Sequence, residues 1–395
     1  MTAVEPSSVR ALMYMFFPGG GIGRYTHELA EALHELPDVE VELACLREFQ
    51  FLGEATYPTW PQLLRIHSDK PLYRRMRFLT GQFVSPRRAI QRAVEGKVDV
   101  LHLSNINHLT FPLWRRWLKK ARPLKIAATA HDVRRSKSML NKRWETNALR
   151  QFYENADALF IHSSQQKDDL LDFANVAEDV IHQVPMGTMP YAAPTADKAA
   201  LRKRFGIGDS RMVGLFFGNI RDDKNLDSLL TAMSLQAEPL FLIIAGRAGG
   251  AGNKTDEHYR TRINELRLQE HVLFLDRFIE NEEVGDLFAV ADFVPLCYLT
   301  TFTSQSAVLN VAMHYDRPIL VTPAPTLAET VRELNVGVAT ESDTPESLLT
   351  GVESLIAKIE SGASFEFEEY RRRNSWQENA RITRNVYQDL ASRRS

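Results

Sequence analysis

Hydrophobic and polar positions along this chain change period in a regular order. Residues 9–17 form a nearly unbroken apolar run, which predicts a buried strand. From residue 24 the apolar positions become Tyr25, Leu29, Leu33 and Leu36, the spacing of one helix face. Between them Pro18-Gly19-Gly20-Gly21-Ile22-Gly23 reads as a flexible loop. Further strands are predicted at 39–45, 98–103, 125–130 and 158–162, with helical patterns between most of them. Residues 184–194 hold three prolines and no charge, and read as a linker. Beyond it the alternation restarts at 212–217, with strands at 240–245, 272–275, 293–296, 318–321 and 337–339. The tail, 365–390, is basic and amphipathic and reads as helical throughout.

Strands alternating with helices imply an α/β fold of parallel, doubly wound sheets. A length of 395 residues exceeds one ordinary core. The expected division is a domain over 1–190, a second over 191–370, and a terminal helix over 371–395 that crosses back to the first. Two such domains on a hinge would face each other across a cleft, carboxyl strand ends inward. Hydrophobic content of 44% with 25% charged residues is that of a soluble globular chain. No run of 18 uncharged apolar residues occurs, and Met1 to Arg10 lacks the apolar core of a signal peptide. A cytoplasmic location is therefore expected. Cys45 and Cys297 fall in different domains, outside any metal-ligand spacing, and are expected to be reduced and buried.

Net charge is −2, but it is unevenly spread. Residues 64–143 carry 20 Lys/Arg against four acids, a local excess of +16. Such a block implies an anionic partner, either a membrane surface, a lipid-linked phosphate or nucleic acid. Within it, Pro112-Leu113-Trp114-Arg115-Arg116-Trp117-Leu118-Lys119-Lys120 has the composition of an interfacial helix. The other reading is a solvated basic helix whose tryptophans dock in the core. Nucleic acid ranks last, because no recognisable reading module is present.

Two segments carry candidate chemistry. Val213-Gly214-Leu215-Phe216-Phe217-Gly218-Asn219-Ile220-Arg221-Asp222-Asp223-Lys224-Asn225-Leu226 reads as strand, glycine turn, two cations and helix. Cations beside a helix N-terminus at a strand's carboxyl end suit a diphosphate. Alternatively, Arg221 and Lys224 pair with Asp222 and Asp223 as ordinary loop charges. In the second segment polar residues Thr300 to Ser306 follow a strand, and Ser304 or Ser306 can cap a helix running to His314 or Tyr315. That offers a second helix N-terminus with hydroxyls beside it, unless the hydroxyls serve only the backbone. The glycine loop itself fits neither the dinucleotide fingerprint nor the Walker pattern.

The ordered set Gly19-Gly20-Gly21-Ile22-Gly23-Arg24-Tyr25, His131-Asp132, Gly218-Asn219-Ile220-Arg221 with Lys224, Ser306 to Pro318, Ser375-Trp376 and Tyr387 resembles the GT-B glycosyltransferases of family four. The resemblance implies that Arg221 and Lys224 bind the donor diphosphate and stabilise charge on it as the glycosidic bond breaks. Gly20 and Gly21 would border the donor phosphate, and His131 would lie near the transferred sugar. Gly218, Asn219, Thr303, Ser304, Gln305, Ser306, Ala307 and Val308 would complete the donor site. The loops 246–252 and 277–279 would read the base. No cofactor and no metal are implied. The implied partners are a nucleoside-diphosphate sugar of the UDP or GDP type and a lipid-linked or saccharide acceptor, with an anionic membrane surface nearby.

One departure stands out. The family often carries Glu-x7-Glu, and those positions are Thr303 and Val311 here. Neutral hydrogen bonds from Ser304, Gln305 and Ser306 would then replace carboxylates toward the sugar. The lost carboxylates favour a second reading, a non-catalytic partner of another glycosyltransferase; a nucleotide-sugar epimerase is a third, which the missing acidic pair opposes.

Overall fold

A computed structural model describes residues 8–64, 71–134, 141–208, 211–250 and 252–393, with 71–77 described as backbone alone. The chain forms two compact units. Residues Met1–Met186 and Asn374–Ser395 make the first, and Gly187–Arg373 make the second.

The first unit runs β1 (Val9–Tyr14), α1 (Gly20–His34), β2 (Val39–Ala44), β3 (Thr59–Trp60), α2 (Pro71–Glu95), β4 (Val100–Leu103), α3 (Phe111–Lys120), β5 (Lys125–Thr129), α4 (Lys142–Tyr153), β6 (Ala158–Ile161), α5 (Ser164–Phe173) and β7 (Ile181–Gln183). Its parallel sheet has the order β3-β2-β1-β4-β5-β6-β7. The order reverses between β1 and β4, so the loops above those two strands diverge. Ligands bind at such a switch point in doubly wound sheets.

The second unit runs α6 (Lys198–Arg204), β8 (Val213–Phe217), α7 (Leu226–Ser234), β9 (Phe241–Ala245), α8 (Asp256–Glu265), β10 (Val272–Leu275), α9 (Asn281–Val290), β11 (Val294–Leu296), α10 (Ala307–His314), β12 (Ile319–Val321), α11 (Pro325–Glu333), β13 (Gly337–Ala339), α12 (Pro345–Glu360) and α13 (Phe367–Arg373). Two three-stranded parallel sheets, β10-β9-β8 and β11-β12-β13, meet where the Leu215 N–H donates to the Phe293 carbonyl at 3.0 Å. Gly214 permits that junction, because an added Cβ would lie 3.1 Å from the Phe293 ring. The switch point of this unit thus falls between β8 and β11.

Each sheet buries its own core. Leu12, Leu101, Ile126, Leu159 and Trp114 belong to the first, and Phe216, Leu229, Leu242, Ile244 and Leu320 to the second. Burying each such side chain contributes about 1.5–3 kcal/mol. That outweighs local preference and explains where expectation and structure part. The glycine stretch is not a loop throughout: α1 begins at Gly20, four residues earlier than expected, because the Tyr25 and Leu29 face is fully buried and holds the first turn. The tail is not one helix. It breaks at Asn374, and α14 (Trp376–Ser392) starts afresh, capped by the Ser375 hydroxyl accepting the Glu378 N–H at 3.2 Å.

Helix α14 belongs to the first unit although it follows the second in sequence. Tyr387 hydrogen-bonds His102 on β4, and Arg384 pairs with Asp38 at 2.8 Å. The tryptophans of α3 are also not where an interfacial helix would place them. Trp114 is fully buried, edge-on to Phe111, and Trp117 packs on Phe83 beneath Arg87 and Arg116. Core packing claims the large apolar rings. What α3 exposes is Leu113, Arg116, Lys119 and Lys120. Part of the basic block, 65–70 and 135–140, lies outside the described residues.

Candidate functional site

The two segments singled out by sequence converge at the switch point of the second unit. Strand β8 ends at Phe217, and Gly218 turns the chain with φ +83°, a conformation that strongly favours glycine. Its missing side chain has a second effect: an added Cβ would stand 3.3 Å from Lys224 Nζ and 3.6 Å from Val308. Glycine therefore lets the ammonium and the first turn of α10 approach the same spot. Asn219 is exposed, while Ile220 is buried and donates its N–H to the Arg247 carbonyl at 2.9 Å. Residues Asp222–Lys224 form a single 3-10 turn, closed by Asn225 in the left-handed conformation.

The two cations behave differently. Lys224 is buried, donates from Nζ to the Phe217 carbonyl at 2.9 Å, and lies over the Phe216 ring. Burial, and secondarily the Arg221 charge, push its pKa down to about 7. Arg221 is exposed and forms a bidentate pair with Asp223, at 2.9 and 2.8 Å. The alternative reading of loop charges thus describes Arg221 in this structure, and does not describe Lys224.

The second segment is tied to the first. The Leu299 N–H donates to the Asp223 carbonyl at 2.9 Å. Asp343 binds both loops, its carboxylate accepting from the Thr300 N–H and its carbonyl from the Asn225 amide. Tyr298 stacks on Phe302 with centroids 4.1 Å apart. Ser306 occupies the N-cap of α10, but its hydroxyl does not cap; it pairs with the Tyr298 hydroxyl at 3.1 Å. The capping expected of Ser304 or Ser306 is therefore absent. The buried phenol competes successfully for the Ser306 hydroxyl, and the N–H groups of the first turn, Ala307 and Val308, receive no side-chain cap. Thr303 and Gln305 are half-buried in the same loop, as is Ser304. Val311 is 2% exposed and faces the core, so that position presents nothing to a ligand. Asn310 accepts from the Tyr370 hydroxyl at 2.7 Å and anchors α10 to α13.

The remaining strand ends of this unit form a neighbouring edge. The Ala248 N–H donates to the Asp276 carboxylate at 2.7 Å, linking the 246–250 loop to the end of β10. Arg277 pairs with Glu283, and the Phe278 ring is 64% exposed.

In the first unit, Gly20 and Gly21 open α1 above the end of β1, with the Gln50 amide oxygen accepting the Gly20 N–H at 3.3 Å. Pro18 to Ile22, Glu48 and Gln50 line an open depression of about 550 Å³ there. His131 sits two residues past the end of β5, half-buried rather than in the core. Tyr25 abuts it edge-on at 4.7 Å, and His162 lies 3.4 Å from it, nitrogen to nitrogen. Asn379 of α14 donates to the Tyr25 hydroxyl at 3.2 Å, and Trp376 packs edge-on against the Tyr25 ring. Sequence offered no signal for His162, Gln166 or Asn379, which meet His131 and Tyr25 only through the fold.

Two Rossmann-like units in one chain are the architecture of the GT-B glycosyltransferases. A model of glycosyltransferase family 4 matches residues 19–189, and one of glycosyl transferases group 1 matches 197–382. The chain belongs to the group 1 glycosyltransferases of family 4. It is 25% identical over 326 residues to the D-inositol 3-phosphate glycosyltransferase of Corynebacterium aurimucosum, covering 76% of this chain and 74% of that one. Among solved structures, sucrose-phosphate synthase from Thermosynechococcus elongatus shares the fold with a TM-score of 0.74 at 15% identity, covering 98% of this chain and all of that one. Anabaena HepE, solved with UDP and glucose, shares it with a TM-score of 0.71 at 16% identity, covering 97% and 100%. Among the described residues no helix is long and apolar enough to cross a membrane.

Proposed function

We propose that the protein transfers a hexose from a nucleoside-diphosphate sugar to a lipid-linked or saccharide acceptor, with retention and without a metal. The observation that carries this reading is Lys224 and the uncapped first turn of α10 converging on Gly218 at the switch point. A diphosphate there meets a buried ammonium and backbone N–H donors, which need no reorganisation as charge develops on the leaving group. Arg221 joins them by exchanging Asp223 for phosphate. An exposed ion pair of this kind is worth about 0.2–1 kcal/mol, so a dianion displaces Asp223 readily. The departing diphosphate takes the acceptor proton, and no protein base is required. Ser304 and Gln305 supply neutral hydrogen bonds in place of the missing carboxylates, and within the first unit this reading assigns Gly20 and Gly21 to phosphate and His131 to the transferred sugar. The solution of HepE with UDP and glucose supports a uridine donor. The exposed cations of α3 suit an acceptor held at an anionic membrane surface.

A second reading, a non-catalytic partner of another glycosyltransferase, is favoured by Val311 and Thr303 standing where carboxylates are usual. Calorimetric titration with UDP, GDP and their common sugar conjugates separates the two. Saturable binding that is lost in an Arg221→Ala/Lys224→Ala double variant supports the transferase. Absence of binding by all of them supports the partner.

A further inference from the structure

We propose that His162 is a positioning residue that fixes His131 in the tautomer protonated on Nδ1, with the lone pair on Nε2. The proposal rests on the assignment of His131 to the sugar side of the site. The His162 ring is 6% exposed, and its Nδ1 lies 3.3 Å from the Val184 carbonyl, a group that only accepts. Burial pushes the His162 pKa down to about 4, so the neutral ring carries one proton, on the nitrogen facing that carbonyl. Its Nε2 then keeps a lone pair and faces Nδ1 of His131 at 3.4 Å. Two lone pairs at that distance repel, so His131 donates from Nδ1.

The frame around the pair is rigid. Gln166, 1% exposed, donates from its side-chain amide to the His131 backbone carbonyl at 2.8 Å and accepts from the His162 backbone N–H at 2.7 Å. Tyr25 packs edge-on against both imidazoles, at 4.7 and 5.1 Å. The consequence is chemical. With Nδ1 committed to His162, only Nε2 of His131, an atom buried in this structure, is left for a ligand; in this tautomer it accepts a hydrogen bond from a sugar hydroxyl and offers no proton to a phosphate oxygen or carbonyl. The second histidine thereby selects which kind of group His131 recognises.

Long-range proton–nitrogen correlation spectra of ¹⁵N-histidine-labelled protein read the tautomer directly, with His131 assigned by comparison with a His131→Gln variant. The expected result is Nδ1–H in the native protein. His162→Phe, which keeps the ring shape but removes the acceptor, shifts His131 toward Nε2–H. His162→Gln, whose side-chain oxygen stands near the lost nitrogen, restores Nδ1–H. Turnover with the bound nucleotide sugar falls about tenfold in the Phe variant, the loss of one hydrogen bond, and recovers in the Gln variant. An Nε2–H tautomer in the native protein overturns the proposal whether or not the variants fold, as does an unchanged tautomer in a folded Phe variant. A shifted tautomer with unchanged turnover supports the positioning role and removes His131 from the sugar site.

Discussion

The carboxyl edges of the two sheets are built in opposite ways. That of the second unit is cationic and local: Gly218, Arg221 and Lys224 lie within seven residues of one another, and short hydrogen bonds through Asp223 and Asp343 lock the second loop to them. The first unit's edge is aromatic around His131 and assembled over distance: Tyr25, His131, His162 and Trp376 meet although they span most of the chain. Charge is what a leaving diphosphate demands, whereas a sugar with only hydroxyls is recognised by shape and single hydrogen bonds. One edge is organised for electrostatics and the other for orientation.

That contrast makes its largest prediction in stability. Trp376→Ala removes a large buried ring from the first unit and lowers that unit's stability to denaturant by about 3–5 kcal/mol, while the UDP affinity of still-folded protein stays unchanged. A parallel loss of UDP affinity would show that the two edges are not independent. Lys224→Ala strikes the other edge. It lowers kcat by about 10²–10³, the loss seen when one preorganised donor is removed from a transition state, with far-ultraviolet circular dichroism preserved.

Next in size is the pH dependence of Lys224, whose sign is opposite for ligand affinity and for stability. Its pKa of about 7 in the free protein means that a diphosphate must draw a proton onto it above that pH. UDP affinity therefore falls by up to about tenfold per pH unit above 7, visible as proton uptake in buffers of different ionisation enthalpy. Stability of the unliganded protein moves the other way. Between about pH 7 and the ordinary lysine value the unfolded chain binds the extra proton, so this group raises stability with pH; the contribution is lost as pH falls toward 7. Lys224→Met abolishes both slopes in the titration and in thermal melts. The smallest effect belongs to Asp223→Asn, which releases Arg221 and tightens UDP by roughly two- to fivefold, the worth of an exposed pair. A weaker affinity in that variant would mean that Asp223 positions Arg221 rather than competing for it.

The same contrast decides what was legible in advance. The strand-to-helix alternation was readable because parallel strands are apolar throughout and their helices carry one apolar face. The cationic edge was readable because its residues are contiguous. Asp343 was not, since nothing near residue 343 marks it as the anchor of loops at 225 and 300. His162, Gln166 and Asn379 were equally silent, because their meaning arises only when β6, α5 and α14 are stacked. Thr59–Trp60 and Ile181–Gln183 are silent as strands because neither is an apolar run; Thr59, His182 and Gln183 are polar, whereas the equally short β11 and β12 are apolar throughout. The start of α1 at Gly20 is hidden in sequence because glycine reads as a breaker, and tertiary burial overrides that propensity. Ser306 shows the converse error: the capping pattern was right in sequence, but a buried tyrosine claims the hydroxyl.

The return of α14 to the first unit has a consequence for biosynthesis. The sheet that emerges first from the ribosome cannot bury Tyr25, His102 or its share of Tyr387 until residues 376–392 have been made. At roughly 5–20 residues per second, the intervening chain takes about 10–40 s to synthesise. Throughout that interval the second unit can complete itself, whereas the first waits with an open flank. The half of the molecule that is translated earliest is thus the last to be sealed, and nonsense mutations in the final helix should damage the opposite end of the gene product.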